Sequence, residues 1–416
     1  MVIDTEAPRR AVLRRVTGLA RSTPGRLSLI ALLLIATSFI AGSLTAMSVI
    51  NRAEALEELA MRSEPLSHAA QEVYRSLQDA DATAASAFLS GGLEPAALRD
   101  RYEADIAQAQ AALSRATASH PDLTATLASQ LPVYTGLIET ARTNNRQGFP
   151  VGAAYLGEAS ALMRAQLLPA ARELYRSETD GVAQAQQRAA KFPVAELTLG
   201  LLVLAALGLA QVYLTRKTNR LLNVGLVVAT GAAFVSLLWV VVTSVIVIGD
   251  VNDSRTGGSG RVAVLAQARI ATLTARGEET LTLVARGSGQ NYEKNYVEVA
   301  KELEGLLEQA KRTAPSAEVD SALTHFHAWQ ATHGRIRQAD DAGQYTEAVA
   351  LIAEPSFDEL DADLVRAIGL ARQGFSKEIA AARGALVGTV VGVLALAVLS
   401  AAASVMGLWQ RLKEYR

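Results

Sequence analysis

Cysteine is absent from the 416-residue chain, and aromatic residues make up only 5% of it. The first absence removes disulfides, thiolate chemistry and most structural zinc sites. The 40 basic residues against 41 acidic ones leave no broad basic surface, so nucleic acid is not an expected partner. No G-x-x-x-x-G-K-[ST] phosphate loop and no dinucleotide fingerprint occurs, and "RGSGQN" reads as a glycine turn between helices. The histidines are His68, His120, His325, His327 and His333, and the one cluster, "HFHAWQATH", has no i, i+4 pair. Such spacing fits solvated or partly packed side chains rather than metal ligands. The expected protein is non-catalytic, without cofactor or metal.

Charge is also missing where it matters most. Residues 27–50, 194–214, 221–248 and 384–409 contain no Asp, Lys or Arg, and Glu196, at one end of the second stretch, is their only acid. A membrane span needs about 20 mainly apolar residues. A buried soluble helix could mimic one such stretch, but not four. The first is longer than the apolar run of a signal peptide, and "SLTAMSVI" is a poor cleavage site, which favours an uncleaved signal-anchor.

The short segments between and around these stretches are basic. Residues 1–26 carry Arg9, Arg10, Arg14, Arg15, Arg21 and Arg26 against Asp4 and Glu6. Residues 215–220 carry Arg216, Lys217 and Arg220, and residues 410–416 carry Arg411, Lys413 and Arg416 against Glu414. Cytoplasmic loops hold the excess of Lys and Arg. Four spans put all three basic segments on that side. The expectation is a multi-pass plasma-membrane protein, embedded in lipid, with both termini cytoplasmic. Residues 51–193 and 249–383 then lie outside.

Span, outer segment and span occur twice. "RYEADIAQAQAAL" lies over "NYVEVAKELEGLL", which pairs Tyr102 with Tyr296, and Pro121 then falls on Pro315. At nearly the same offset "NNRQGFPVGAAYL" lies over "DDAGQYTEAVALI", pairing Phe149 with Tyr345. Such a repeat fixes the unit of architecture. Both outer segments are rich in the good helix formers Ala, Leu, Glu, Gln and Arg. Three breakers divide each into four helical stretches: "SGGLEP", "SHPD" and "NNRQGFP" in the first, "RGSGQN", "TAPS" and "DDAGQY" in the second. Leu98, Tyr102, Ile106 and Leu113 recur at helical spacing, as do Val299, Leu303 and Leu306. The expected fold is all-α, with four transmembrane helices and two tandem extracytoplasmic four-helix bundles made by internal duplication. Phe149 and Tyr345 are expected to close equivalent helical hairpins. Pro169 and Pro193 should kink the first bundle's return to the membrane, whereas the last outer helix runs without proline into the fourth span.

The fourth span opens with "GALVGTVVG", and Gly384, Gly388 and Gly392 stand four apart, as do Gly225, Ala229 and Ala233 in the third. Small residues at this spacing let helices approach closely in lipid. A contact between these two spans is expected, with the outer helix entering the fourth as a rigid rod.

The Gly-x-aromatic-x-x-Ala turn of "AGQYTEAVALI" resembles the four-helix-bundle sensor domains of bacterial chemoreceptors and histidine kinases. After the fourth span, however, no output domain follows in this sequence. The basic N-terminus leading to "TPGRLSLIALLL", two helical outer segments on four spans and the lack of cysteine are together similar to the GlnX-type membrane proteins of actinobacteria. That resemblance implies a relay. A solute-binding lipoprotein loaded with aspartate, asparagine or glutamine would be sensed outside, and the serine/threonine protein kinase G, or another effector, would respond inside. A homodimer is compatible with it. Direct ligand sensing by the bundles, a transporter or channel subunit, and an envelope scaffold are the other readings. Spans lacking interior charge and proline argue against transport.

Overall fold

The computed structural model describes residues 23–90, 93–117, 120–218, 223–313 and 315–413. Among them every regular element is a helix. The first half contains α1 (Thr23–Glu58), α2 (Glu64–Leu89), α3 (Ala96–Thr117), α4 (Pro121–Arg146), α5 (Val151–Leu162), α6 (Leu168–Ala189) and α7 (Val194–Thr218). The second contains α8 (Val224–Asp253), α9 (Gly260–Val284), α10 (Gln290–Thr313), α11 (Ala317–Asp341), α12 (Tyr345–Ile352), α13 (Ser356–Leu386) and α14 (Thr389–Lys413). Three π turns, Leu59–Ser63, Met163–Leu167 and Ser254–Ser259, join α1 to α2, α5 to α6 and α8 to α9. The first and third of these fall at matching places when Tyr102 is set over Tyr296. The second ends at Leu167, two residues before Pro169, in a run that is helical without a break from Val151 to Ala189.

Four helices are long and apolar enough to cross a membrane, and at most 28% of the apolar window of each is buried. Leu32, Leu33, Phe39, Ile40, Leu201, Leu202 and Leu209 are all more than half exposed. Apolar surface on this scale is a liability in water and is ordinary in lipid.

The described chain divides into two compact units: a span unit, made of the residues up to Leu56, Arg188–Val251 and those from Ala380, and a second unit, Glu57–Gln187 with Asn252–Ile379, named the outer unit here for the side on which the sequence leads one to expect it. In the span unit small residues bring helices together. A Cβ on Gly225 of α8 would lie 2.5 Å from the Cα of Gly407 on α14, and one on Gly42 of α1 would lie 2.5 Å from the Cβ of Ala397. Hydrogen bonds reinforce the α8–α14 contact: Asn223 Nδ2 donates to the Gly407 carbonyl at 2.8 Å, and Ser400 Oγ to the Ala229 carbonyl at 3.2 Å.

The rigid rod expected between outer helix and fourth span is not present. Helix α13 ends at Leu386, and Gly388 takes φ +77° before α14 begins. Glycine can adopt that conformation without the Cβ clash that excludes other residues. Gly384, Gly388 and Gly392 therefore do not line one face of a single helix. The first half is broken at the matching point, between Ala189 and Val194, by Pro193. Proline and a left-handed glycine make the same interruption by different chemistry.

In the outer unit the two segments pack against each other, each around an apolar cluster of its own. Their contact runs through α2 and α9. Helix α2 is buried almost continuously from Ala69 to Ala87, and α9 from Ala271 to Leu283. Seven alanines in α2 and four threonines in α9 over these turns keep the side chains short, so the two helices can pack against each other while each also covers its own half. One apolar cluster centres on Tyr74, Tyr102, Tyr134, Ile138 and Leu167. The other centres on Leu303, Phe326, Trp329, Phe357 and Leu364.

Candidate functional site

Most polar residues on these stretches of α2 and α9 are buried, so they need partners within the junction. Arg75 and Asp79, one turn apart on α2, approach each other at 3.5 Å, and Arg75 also lies 3.8 Å from Asp105 of α3. Arg101, one turn before Asp105, reaches Asp79 at 2.9 Å and Asp358 of α13 at 3.7 Å. Arg269 of α9 holds Asp361 of α13 through two bonds of 2.6 and 2.9 Å. Gln78 donates to Thr274 at 2.8 Å across the α2–α9 seam. Charges of alternating sign thus connect α2, α3, α9 and α13.

This arrangement sets the protonation of its least satisfied member. Burial, and then the neighbouring Asp79 charge, push the Asp105 carboxyl up to about 7, against the pull of Arg75, Arg101 and Arg269. One of its oxygens, Oδ2, is buried without a hydrogen bond. Deeper in the first half, Asp81 accepts from Tyr134 at 3.2 Å and from Ser160 at 2.9 Å, and burial pushes its carboxyl upward.

Beside the network lies a cavity of about 300 Å³ between the two halves of the outer unit. One end is charged, with Asp79, Arg101 and Asp358, and the other is apolar, with Leu98, Ile352 and Phe357. Arg276 closes the wall. It donates to Glu279 at 2.8 Å and to the Ile352 carbonyl at 2.7 Å, and stacks 4.8 Å from the Phe357 ring centre. The volume is that of a small ligand site.

Behind Arg276, the fully buried Glu279 also accepts from Trp329 Nε1 at 3.2 Å and pairs with His333 Nδ1 at 2.9 Å. The other nitrogen of His333 lies 3.2 Å from Glu293 of α10, and its ring stacks on Tyr296 at 3.6 Å. Burial disfavours the imidazolium, but the hydrogen bonds to both glutamates outweigh it and raise the His333 pKa. His333 is therefore a packed bridge between α9, α10 and α11.

Residues 55–187 match the family model described as an actinobacterial sensor domain. That match supports a sensor protein. The matched stretch holds Arg75, Asp79, Arg101 and Asp105, while the second outer segment lies beyond it. No curated protein and no solved structure matches the chain. Four helices long and apolar enough to cross a membrane, together with that match, support a sensing membrane protein.

The residues singled out in the sequence fall elsewhere. Gly225 and Ala229 sit against α14, and Ala233 is half-buried. Gly392 meets the Trp239 ring, 3.2 Å from where its Cβ would be, whereas Gly384 and Gly388 have no neighbour within 4 Å of that position. Phe149 is 52% exposed, and Tyr345 is half-buried under Arg286, whose guanidinium lies 4.7 Å from the ring centre. Tyr345 also packs against the apolar cluster of Leu283, Ile336 and Ala348, whereas Phe149 does not pack back, and a glycine turns each hairpin. Gly148 and Gly343 take φ +73° and +74°, and the following amides, of Phe149 and Gln344, return to the carbonyls of Asn144 and Ala339 at 2.9 and 2.8 Å. Arg216 is exposed, Lys217 is helical, and Arg220 lies outside the described residues. The ionic junction itself was missed. Its trace in the sequence is two Arg/Asp pairs at i, i+4, Arg75–Asp79 and Arg101–Asp105, the first inside an alanine-rich run.

Proposed function

We propose that the chain is a non-catalytic sensor subunit: its outer unit reads a signal outside the cell, and a separate cytoplasmic effector responds. The observation that carries this reading is the α2–α9 junction. A stretch matching a sensor domain is joined to a second helical segment through the Gln78–Thr274 hydrogen bond and the partly exposed Arg101–Asp358 pair, beside a cavity. Changing what those charges meet would change how the two segments pack, and two packings that differ by a few kcal/mol make a switch.

In its fuller form the reading is a relay. An amino-acid-loaded solute-binding lipoprotein docks on the outer unit, and a serine/threonine kinase is the effector. Both termini are then cytoplasmic, and the two outer segments are copies of one unit. The paired Tyr102 and Tyr296, the matching glycine turns and the matching breaks at Pro193 and Gly388 support the duplication. Affinity capture of the full chain from native membranes tests the relay. A co-purifying lipoprotein and a kinase response that is lost with the chain are expected. A kinase response that persists without the chain overturns the relay.

A second reading is direct binding of a small amphipathic molecule in the junction cavity, favoured by its charged and apolar ends. Leu98→Trp, which fills the apolar end, should then abolish the response. A full response in that variant leaves the cavity without a role in sensing.

A further inference from the structure

A smaller cavity, of about 50 Å³, lies elsewhere in the outer unit, where α2, α6, α9 and α13 converge. Its distinctive wall residue is Arg372 of α13. The arginines of the junction each have a carboxylate partner, as Arg75, Arg101, Arg269 and Arg276 show. Arg372 does not. Its Nη2 donates to the neutral Gln71 Oε1 at 2.6 Å, and its Nε is buried without an acceptor. Glu64 and Glu72 act on it only from farther away, and burial lowers its pKa. Arg372 is partly buried, and a guanidinium taken even partly from water without a paired anion is costly. An anion in the cavity would remove that cost.

The other walls fit an anion. Ser259 Oγ accepts from Gln186 at 3.3 Å, so its own O–H is free to donate into the cavity. Ser67 adds a second hydroxyl. The lone acid on the wall is Glu64, whose carboxyl is pushed up by burial and pulled back by Arg372. His68 is held down by burial and by Arg372, against Glu72, with Arg115 also lowering it. Tyr175, raised by burial, remains a neutral phenol. A volume of about 50 Å³ holds roughly three or four water-sized atoms, since one needs about 10–15 Å³.

We propose that this cavity is a binding site for a small monovalent oxyanion of the size of formate, nitrate or acetate, held by Arg372 with Ser67 and Ser259. The planar guanidinium matches the paired oxygens of such an anion. The site touches four helices of the outer unit and is separate from the junction cavity, so its occupancy does not depend on the sensing reading above.

The test is thermal unfolding of the full chain in detergent, in sodium formate, nitrate or acetate against sodium gluconate at equal ionic strength. Gluconate is too large for the cavity. A saturable rise in Tm is expected with at least one small anion and not with gluconate, because a ligand that binds the native state stabilises it. Arg372→Gln should weaken the apparent Kd by roughly ten- to a hundredfold, the usual worth of a charged hydrogen bond. Ala263→Leu keeps the arginine and fills the cavity, and it should lose the effect as well. It decides the matter if Arg372→Gln does not fold. The apparent Kd should tighten as pH falls, because protonation of Glu64 and His68 removes a negative charge and adds a positive one. No saturable rise with any of the three small anions, an equal rise in gluconate, or an unchanged rise in Ala263→Leu would overturn the proposal.

Discussion

Asp79 and Asp105 approach the same guanidinium, that of Arg75, at 3.5 and 3.8 Å. One buried cation cannot fully satisfy both, and Asp105 is the one that gives way. Its carboxyl is raised to about 7 by burial and by the Asp79 charge. The native state therefore holds a proton that the unfolded chain releases at lower pH. Stability from this group falls as pH rises from the ordinary carboxyl range through about 7. Asp105→Asn should flatten the pH dependence of Tm over that window and make the protein more stable than wild type at pH 8. A variant with the wild-type pH profile would show that Asp105 is already ionised in the native state.

His333 should give a second titration of the same sign from a different cause. Its pKa is raised by Glu279 and Glu293. The stability it supplies is fully present below the unfolded value of about 6.5 and is lost as pH rises through the higher folded value. His333→Gln keeps a polar side chain but not the charge. It should lose stability most at pH 6 and least at pH 9, measured by denaturant midpoint. An equal loss at both would mean that the neutral ring, stacked on Tyr296, is all that matters.

The spans and the helical outer segments were legible in the sequence because each rests on a local signal: length without charge, or helix formers between glycine and proline breakers. The glycine turns at Gly148 and Gly343 were legible for the same reason. The junction was not. Nothing near Ala69–Ala87 says that this helix is covered on nearly every side, because its cover comes from α9, distant in sequence. Phe149 shows the converse error. An aromatic beside a turn suggests a packed ring, yet the turn is closed by backbone bonds and the ring stays outside. At Gly388 the missing proline suggested an unbroken helix, while the glycine repeat that looked like a packing face contained the break.

Topology can be read chemically. Thr218 ends α7, close in sequence to Arg216, Lys217 and Arg220, and Ser316 caps α11 by accepting from the Val319 amide at 3.3 Å. With the termini cytoplasmic, Ser316→Cys should react with an impermeant thiol reagent on intact cells and Thr218→Cys should not. The chain has no other cysteine to confuse the result. Reaction at Thr218→Cys alone would invert the orientation.

Gly388 and Gly225 of the span unit should differ in kind. At Gly388 a Cβ meets nothing within 4 Å, but φ is +77°. Gly388→Ala should therefore cost only the left-handed penalty, roughly 1–2 kcal/mol, or should let α13 and α14 merge into one helix. At Gly225 the backbone conformation is helical, but a Cβ would lie 2.5 Å from the Ala403 carbonyl oxygen and from the Gly407 Cα. Those are backbone atoms and cannot swing aside, so Gly225→Val must push α8 and α14 apart. A cysteine pair at Ala229 and Ser400, whose carbonyl and hydroxyl meet at 3.2 Å, reports the difference. Cross-linking should persist in Gly388→Ala and fall sharply in Gly225→Val at equal protein level. If Gly225→Val cross-links as wild type, the close approach of these two spans at Gly407 is wrong. If Gly388→Ala also abolishes the sensing response while the cross-link persists, the break, rather than the packing, is the part of the span unit that the signal uses.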